Sequence, residues 1–170
     1  QGIQAALESR GHGTCLLPAH GSLEVLLGAY DPQEWVVFNL CEGLDGQPFL
    51  EPYVAMTLEL MGFVFTSSNA WTSFHCLDKS RAKSLLSAHG IPTPLSQLFH
   101  SADEALRVPL PAIVKPVAAD GSIGVRPNSV VTNEADLRAR VAETLAAHQQ
   151  PALAEEYVGG SEYNVGFLGN

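Results

Sequence analysis

The chain has 170 residues and a formal net charge of −9, and 46% of its residues are hydrophobic whereas only 16% are charged. This composition is typical of a globular α/β protein and argues against disorder. Broad nucleic-acid binding needs clustered Lys and Arg, and a membrane-spanning helix needs about 20 consecutive apolar residues. The sequence has neither, so we expect no nucleic-acid partner and no membrane partner. Its length allows one domain or two small ones.

The three cysteines, Cys15, Cys41 and Cys76, are odd in number and show no CxxC spacing. This pattern favours reduced thiols over disulfides or zinc ligands. The chain shows no basic segment followed by an apolar core, the pattern of a secretory signal. We therefore expect a cytoplasmic protein. Because the chain begins with Gln1 rather than Met, we also expect the amino terminus of the natural protein to be missing.

Helix and strand patterns alternate through the first half of the chain. The near-continuous apolar run at 35–40 is typical of a buried parallel strand, and Pro52 and Gly62 suit the start and the end of the next helix. The predicted elements are a helix at 1–9, strands at 14–17 and 35–40, a helix between Pro52 and Gly62, and a strand at 63–66. This alternation predicts a doubly wound, parallel-sheet domain, followed by a loop at 67–73.

The second half has the pattern of an α+β unit. Pro92 and Pro94 prevent its first helix from continuing past Gly90, and Ser101 with Glu104 forms a capping-box pattern for a short helix. The predicted helices lie at 79–89, 101–107 and 134–148, and the predicted strands at 112–115, 129–132, 152–158 and 162–168. The two halves therefore differ in architecture.

The stretch AIVKPVAADGSIGV at 112–125 carries the clearest chemical signal. A short apolar strand ends at Lys115, and a small-residue loop through Gly121, Ser122 and Gly124 follows. Backbone N–H groups of such a loop can point at phosphate oxygens, and the neighbouring ammonium adds a positive charge. The alternative is a hairpin whose glycines only permit the turn. This stretch alone leaves both interpretations open.

Two further stretches accompany it, DKSRAKSLLSAHGIPTP at 78–94 and LAEEYVGGSEYNV at 153–165. In this order the three resemble the ATP-grasp superfamily, and within it the D-alanine–D-alanine ligase-like branch. The branch pattern is a DK-x3-K helix, GIPTP, a VKP strand, a Gly/Ser loop and an acidic E-x6-E hinge strand. The resemblance covers about half of the chain.

The resemblance implies an α/β fold in two parts. Residues 1–77 would form a Rossmann-like pre-ATP-grasp domain on the substrate side, incomplete at its amino terminus. Residues 78–170 would form the ATP-grasp nucleotide-binding domain. Its α+β central subdomain would be followed by a truncated carboxy-terminal subdomain.

The resemblance also assigns two phosphate-binding lysines. Lys115 of the VKP strand and Lys79 of the DK helix would contact the nucleotide phosphates, where a charged ammonium is favoured in a shielded cleft. The alternatives are a strand-end lysine that reaches water and a solvated first-turn lysine. Lys83 is expected to face solvent or to pair locally with a carboxylate.

The loop from Asp120 to Gly124 matches the phosphate-covering loop of the family. Ser122, the catalytic candidate, would give a hydroxyl and an N–H to the β- and γ-phosphates, and Gly121 and Gly124 would permit close backbone approach. Many ligases of this branch carry a glutamate and two serines here, whereas this chain reads ADGS. The loop function is expected to survive this difference.

The hinge residues match the family's adenosine site. Glu155 would accept from the adenine amino group, the main chain of Glu156 and Val158 would read the ring edge, and Glu162 would hold the ribose hydroxyls. Carboxylates accept well from N–H and from paired hydroxyls. Strand alternation puts Glu155 and Glu156 on opposite faces. The alternative is an acidic, exposed edge strand.

The loop at 39–46 lies where the family reads its substrate. Glu42 stands where many D-alanine–D-alanine ligases carry a histidine, and a carboxylate there would favour an amino group. The alternative is a plain turn after a core strand. Glu42 is therefore a candidate substrate contact. The resemblance supports an ATP-grasp protein more strongly than it supports a ligase that joins two D-alanines into a dipeptide.

The implied function is an ATP-dependent carboxylate–amine ligase that forms an amide bond through an acyl phosphate from amino-acid-like substrates. ATP and Mg²⁺ are the implied cofactors. The family's metal ligands and oxyanion arginine fall beyond the point that matches Asn170, so no metal ligand is assigned and the fragment is expected to be inactive alone. Assembly as a homodimer is left open.

Two alternative functions remain open at this point. The first is a non-catalytic ATP-binding module, and the second is an ATP-grasp ligase with a substrate other than D-alanine. A Rossmann-type oxidoreductase or sugar-nucleotide enzyme would need G-x-G-x-x-G after its first strand. The given sequence lacks this motif, but the expected missing amino terminus leaves this alternative open as well. A P-loop NTPase would need G-x4-G-K-[ST], which is also absent.

Overall fold

The computed structural model describes residues 2–119 and 121–166. The chain divides into two compact units, one ending at Ser73 and the other beginning at Phe74, and the division falls within a helix. Each unit has an apolar core of its own. The assignment of domain roles to 1–77 and 78–170 stays a prediction.

The first unit contains a short parallel pair of strands beside helices. Its elements are α1 (Gly2–Glu8), α2 (Leu23–Leu27), β1 (Val36–Val37), a 3₁₀ turn (Pro48–Leu50), α3 (Glu51–Leu60) and β2 (Val64–Phe65). Strands β1 and β2 pair in parallel, with Val36 opposite Val64. As predicted, Pro52 lies in the first turn of α3, and Gly62 follows the helix with a φ of +79°.

Two predictions for the first unit are wrong. No strand forms at 14–17, and the apolar run at 35–40 forms only the two-residue β1. That run is also not fully buried, because Val36 is 67% exposed and Phe38 is 47% exposed. A parallel strand is buried on both faces only when helices cover both faces of its sheet, and among the described residues β1 pairs with β2 alone.

The second unit is built on a four-stranded antiparallel sheet. Its elements after α4 (Ala70–Leu77) are α5 (Lys79–Ala88), β3 (Ser96–Phe99), β4 (Ala112–Pro116), a 3₁₀ turn (Pro127–Ser129), β5 (Val130–Val131), α6 (Glu134–His148) and β6 (Ala152–Glu156). The strand order is β3-β6-β4-β5, and each neighbouring pair is antiparallel.

Helix α6 covers one face of this sheet. The side chain of Asn133 caps the helix by accepting from the N–H of Asp136 at 2.9 Å, which confirms the predicted start. The core beneath it consists of buried apolar side chains from the sheet, the helix and the chain before β4, namely Phe99, Val108, Ala112, Val114, Val131, Leu137, Val141, Ala152 and Ala154. Burial alternates along β4, so Lys115 lies on the face away from α6.

Helix α4 occupies part of the predicted loop at 67–73. The side chain of Asn69 accepts from the N–H of Thr72 at 2.8 Å, as expected of a helix-capping residue. The loop prediction is therefore wrong from Ala70 onward.

The predicted helix at 101–107 is also absent, although its capping contact forms. Glu104 accepts from the N–H groups of His100 and Ser101 at 2.6 and 3.0 Å. The side chain of Gln97, in β3, bonds the carbonyl of Ala105 and the N–H of Arg107 at 2.8 and 2.7 Å. These two backbone groups are thereby tied to the sheet instead of to a helix.

The end of the chain departs from the prediction as well. Strand β6 stops at Glu156 rather than at Val158, and no strand forms at 162–166. Residues 167 and 168 of the predicted last strand lie outside the described residues. The predicted strands at 112–115 and 129–132 are confirmed as β4 and β5, with small shifts at their ends. The described helices include none with the length and apolar character of a membrane span.

Candidate functional site

Three charged side chains meet on the face of the sheet opposite α6. Lys115 lies opposite Leu153 in the β4–β6 pairing, so Glu155, two residues along β6, has its side chain on the same face. The ammonium of Lys115 donates to Oε1 of Glu155. The ammonium of Lys83, on α5, lies 3.2 Å from Oε2 of the same carboxylate. We call Lys83, Lys115 and Glu155 the lysine–glutamate cluster.

The cluster is shielded from water but keeps an excess of positive charge. Its side chains are only 12% (Lys83), 20% (Lys115) and 14% (Glu155) exposed. Burial raises the pKa of Glu155, but the hydrogen bonds and charges of Lys115 and Lys83 outweigh burial and hold that pKa below its ordinary value. Two ammoniums around one carboxylate leave one net positive charge, which suits an anionic ligand.

Lys83 is a residue whose environment the sequence analysis predicted wrongly. It faces neither bulk solvent nor a local carboxylate, since it pairs with Glu155 of β6 and donates to Oγ1 of Thr93 at 2.7 Å. Lys79 and Lys83 are four residues apart on one helix, a spacing that puts them on the same face. This spacing is the sequence signal that could have placed Lys83 on the same side of α5 as Lys79.

Lys79 lies where the first turn of α5 meets the end of β4. The Asp78 side chain caps α5 by accepting from the N–H groups of Ser80 and Arg81. The backbone N–H of Lys79 donates to the carbonyl of Val117 at 3.0 Å, and its ammonium donates to the carbonyl of Ala119. Lys79 therefore holds the chain at the start of the Gly/Ser loop.

The Gly/Ser loop has the backbone geometry that its small residues permit. Gly121, Ser122 and Gly124 have positive φ angles of 58°, 60° and 77°, a region that non-glycine residues rarely adopt. A Cβ on Gly124 would lie 2.7 Å from Cγ of Pro116 and 2.8 Å from Nε2 of His148. Only glycine fits at this position without displacing a neighbour.

The predicted loop residues thus follow directly after the strand that carries Lys115. Ser122 is exposed, so its hydroxyl is accessible to a ligand. Asp120, which the sequence analysis placed at the start of this loop, lies outside the described residues.

The hinge residues are only partly gathered at the cluster. Glu155 belongs to it, whereas the backbone N–H of Glu156 donates to the carbonyl of Leu95 at 2.8 Å. Because this N–H is already paired, the main chain of Glu156 could contact the edge of an adenine ring only through its carbonyl. Val158 is 67% exposed, and Glu162 is exposed on irregular chain beyond the end of β6.

Glu42 belongs to the other unit, on the exposed part of the loop after β1. This loop contains a tight turn in which Leu44 and Gln47 exchange backbone hydrogen bonds of 3.2 and 2.9 Å. The two central residues, Asp45 and Gly46, have φ angles of 49° and 75°, as a type I′ turn requires. The turn accounts for the glycine at position 46. It does not account for the presence of an exposed glutamate at position 42.

A cleft of about 380 Å³ lies between α5 and the same face of the sheet. Lys83 is part of its wall, as are the serines on one face of α5, the segment that leads into β3 and the apolar side chains of Leu98 and Leu153. The volume lies in the range of small-molecule sites. The sequence alone does not reveal this cleft, because its walls come from three separate segments of the chain.

Metal-binding groups are sparse in the described part of the chain. No three His, Cys, Asp or Glu side chains there lie close enough together to hold a metal ion. The three cysteines are free thiols. The chemistry that the described residues offer is therefore cationic and N–H binding of an anion, with Ser122 as the exposed hydroxyl.

The chain is similar to known proteins in both sequence and structure. No protein-family model matches the chain. A D-alanine–D-alanine ligase of Sphingopyxis alaskensis is 33% identical over 177 residues, which cover 100% of this chain and 54% of that protein. The chain therefore spans about half the length of the curated relatives it matches.

Solved structures give a similar result. A D-alanine–D-alanine ligase from Helicobacter pylori matches with a TM-score of 0.58 and 25% identity, over 74% of this chain and 39% of that one. A D-alanine–D-alanine ligase from Bacillus anthracis complexed with ATP matches with a TM-score of 0.50 and 28% identity, over 63% and 36%.

Proposed function

Because the chain belongs to the D-alanine–D-alanine ligase-like branch of the ATP-grasp superfamily, we propose that it forms the nucleotide-binding part of an ATP-dependent carboxylate–amine ligase. One observation carries this proposal. Lys79 and the Gly/Ser loop, which belong to separate sequence motifs, meet just after β4, the strand that carries Lys115 of the net positive lysine–glutamate cluster.

The proposed phosphate site uses the two lysines and the loop. Lys115 and Lys79 neutralise phosphate charge, and the loop covers the phosphates with the N–H and hydroxyl of Ser122. Phosphoryl transfer depends mainly on positioning and on stabilising negative charge. The positive φ angle at Ser122 supports this role, because strained backbone at a non-glycine residue tends to collect at functional sites.

The proposed adenosine site lies on the hinge after β6. Glu155 accepts from the adenine amino group, the carbonyl of Glu156 and the N–H of Val158 read the ring edge, and Glu162 binds the ribose hydroxyls. Lys83 and Lys115 support Glu155 in this role, because their charges keep it ionised and therefore an acceptor.

The proposed reaction is amide-bond formation in two steps. The substrate carboxylate attacks the γ-phosphorus of ATP, the bond to the β-phosphate oxygen breaks, and ADP leaves with the formation of an acyl phosphate. An amine then attacks the acyl carbon, and inorganic phosphate leaves. The residues of this chain bind and orient ATP for the first step. Among the described residues no three His, Cys, Asp or Glu side chains lie close enough together to hold a metal ion, so no step is assigned to a metal held by them.

The residues up to 77 are proposed as the substrate-side domain, and Glu42 favours a second candidate function there. An exposed carboxylate in place of the family's histidine would attract an amino group and repel a carboxylate. This observation supports an ATP-grasp ligase whose substrate is not D-alanine.

The test is ATP-dependent phosphate release by the product of the whole gene, with D-alanine and with a panel of other amino acids. Release with D-alanine supports the first proposal, and release only with another amino acid supports the second. ATP binding without release for any amino acid would identify a non-catalytic ATP-binding module. Absence of both binding and release would contradict the nucleotide proposal altogether.

A further inference from the structure

Arg140 is a buried arginine that no sequence motif includes. It lies in α6 and is only 5% exposed. Its Nη2 donates to the carbonyl of Gly124 at 2.6 Å and to the hydroxyl of Ser129 at 3.1 Å. Its Nη1 donates to Oε2 of Glu143 at 2.6 Å. The guanidinium thus joins the end of the Gly/Ser loop to the helix.

A second arginine strengthens the same attachment. Arg126 donates from Nη1 to Oε1 of Glu143 at 2.7 Å, and its backbone N–H donates to the hydroxyl of Ser129 at 2.8 Å. Glu143 therefore bridges Arg126 and Arg140, and the hydrogen bond from Arg140 holds the pKa of Glu143 below its ordinary value. The segment 124–129 is fastened to α6 by charged groups.

Stability alone does not explain this arrangement. No described residue accepts a hydrogen bond from the buried Nε of Arg140, and leaving a buried polar donor unpaired costs free energy. Apolar side chains of similar size often replace buried ion pairs with no loss of stability. What the arginine adds is a fixed position for the carbonyl of Gly124.

The loop is thereby held at both ends by cationic side chains. Lys79 donates to the carbonyl of Ala119, just before the loop, and Arg140 donates to the carbonyl of Gly124, the last residue of the loop. Four residues lie between these two attachment points, and Ser122 is among them. Fixing both ends limits the conformations that the loop must lose on binding a ligand, which favours affinity.

We infer that Arg140 is a positioning residue that fixes the carboxyl end of the Gly/Ser loop and so presents Ser122 to the terminal phosphates of the nucleotide. The identity of the ligand rests on the proposed function. The attachment of Gly124 to Arg140 does not rest on that function, and it can be tested without a nucleotide.

The first measurement compares ATP and AMP affinities by titration calorimetry in the whole chain. Arg140→Met should weaken ATP binding about tenfold, because the loop has to be ordered on binding, and should leave AMP binding unchanged. Arg140→Lys keeps one donor and should recover part of the ATP affinity. Arg138→Met is the matched control, because Arg138 on the same helix bonds the carbonyls of Ala102 and Glu104 instead of the loop.

The second measurement is hydrogen exchange in the nucleotide-free chain. Arg140→Met should speed exchange of the Val125 and Ser129 amides, whose hydrogen bonds run to Ser122 and Arg126, and Arg138→Met should not. If Arg140→Met does not fold, the nucleotide titration and the hydrogen exchange are both measured on Arg140→Lys instead. It should then show a smaller ATP-specific loss and a smaller gain in exchange.

Unchanged exchange at Val125 and Ser129 would overturn the inference, as would equal weakening of ATP and AMP. If the wild-type chain binds neither nucleotide, the proposed function fails instead, and the exchange data still decide whether Arg140 fixes the loop.

Discussion

Gly124→Ala is expected to destabilise the second unit because of both backbone conformation and packing. Gly124 has a φ of +77°, where an alanine is strained by about 1–2 kcal/mol. The added Cβ would also lie 2.7 and 2.8 Å from the Cγ and Cδ of Pro116. Pro116 is fully buried and its ring is rigid, so overpacking adds about 1–3 kcal/mol. The expected total loss in the free energy of unfolding is about 2–5 kcal/mol.

Gly90→Ala is the matched control for this substitution. Gly90 follows α5 with a φ of +71°, and a Cβ there would meet no atom within 4 Å. It should therefore cost only the backbone strain of about 1–2 kcal/mol. The difference between the two variants isolates the contacts of the added Cβ with Pro116 and His148.

The assay is urea unfolding followed by far-UV circular dichroism. Tryptophan fluorescence is less suitable, because Trp35 lies in the first unit and Trp71 lies in α4, the helix within which the two units divide. If Gly124→Ala costs no more than Gly90→Ala, the packing argument for this loop is wrong.

Two further predictions concern the lysine–glutamate cluster. Glu155→Gln should lower the free energy of unfolding by about 1–3 kcal/mol at neutral pH, because it leaves Lys83 and Lys115 without their shared anion. Since the pKa of Glu155 is lowered in the folded chain, its contribution is present above the ordinary value near 4.5 and is lost as the pH falls through the lowered value. Urea titrations of both proteins at several pH values should therefore converge at low pH, and a constant difference would contradict this reasoning. Lys83→Met should raise the pKa of Glu155 towards its ordinary value, measured by carbon NMR of the carboxyl group, while the methionine keeps the packing of the lysine stem. An unaltered titration would show that Lys83 does not stabilise the carboxylate.

Local signals in the sequence were sufficient for several elements of the fold. Helix α5 was predicted because Pro92 and Pro94 prevent a helix from continuing past Gly90, and α3 was predicted because Pro52 and Gly62 suit its start and its end. Strand β4 was predicted from a short apolar run between loop residues. These signals need no information from distant parts of the chain.

Elements that depend on distant contacts were predicted poorly. The helix expected at 101–107 had the correct capping contact, but the side chain of Gln97 in β3 took two of its backbone groups. Strand β3 itself was missed, because it is stabilised by pairing with β6 far along the chain. Sequence periodicity alone cannot reveal such pairing.

The candidate site shows the same division. Lys115 and Glu155 were both predicted as ligand contacts from their motifs, but their mutual ion pair follows only from the β4–β6 register. Arg140 was missed for a similar reason, since its contacts with Gly124 and Ser129 join α6 to a separate segment. The roles of these residues towards a nucleotide stay predictions.

Titration of ATP with Mg²⁺ into the wild-type chain, Lys115→Ala and the control Arg107→Ala tests the central claim most directly. Arg107 is exposed, so its loss removes the same charge without touching the candidate site. We predict that the wild type binds ATP, that Lys115→Ala binds it about 10- to 100-fold more weakly because a charge-assisted contact is lost, and that Arg107→Ala binds like the wild type. Equal ATP affinity in all three proteins would contradict the assignment of the phosphate site to Lys115.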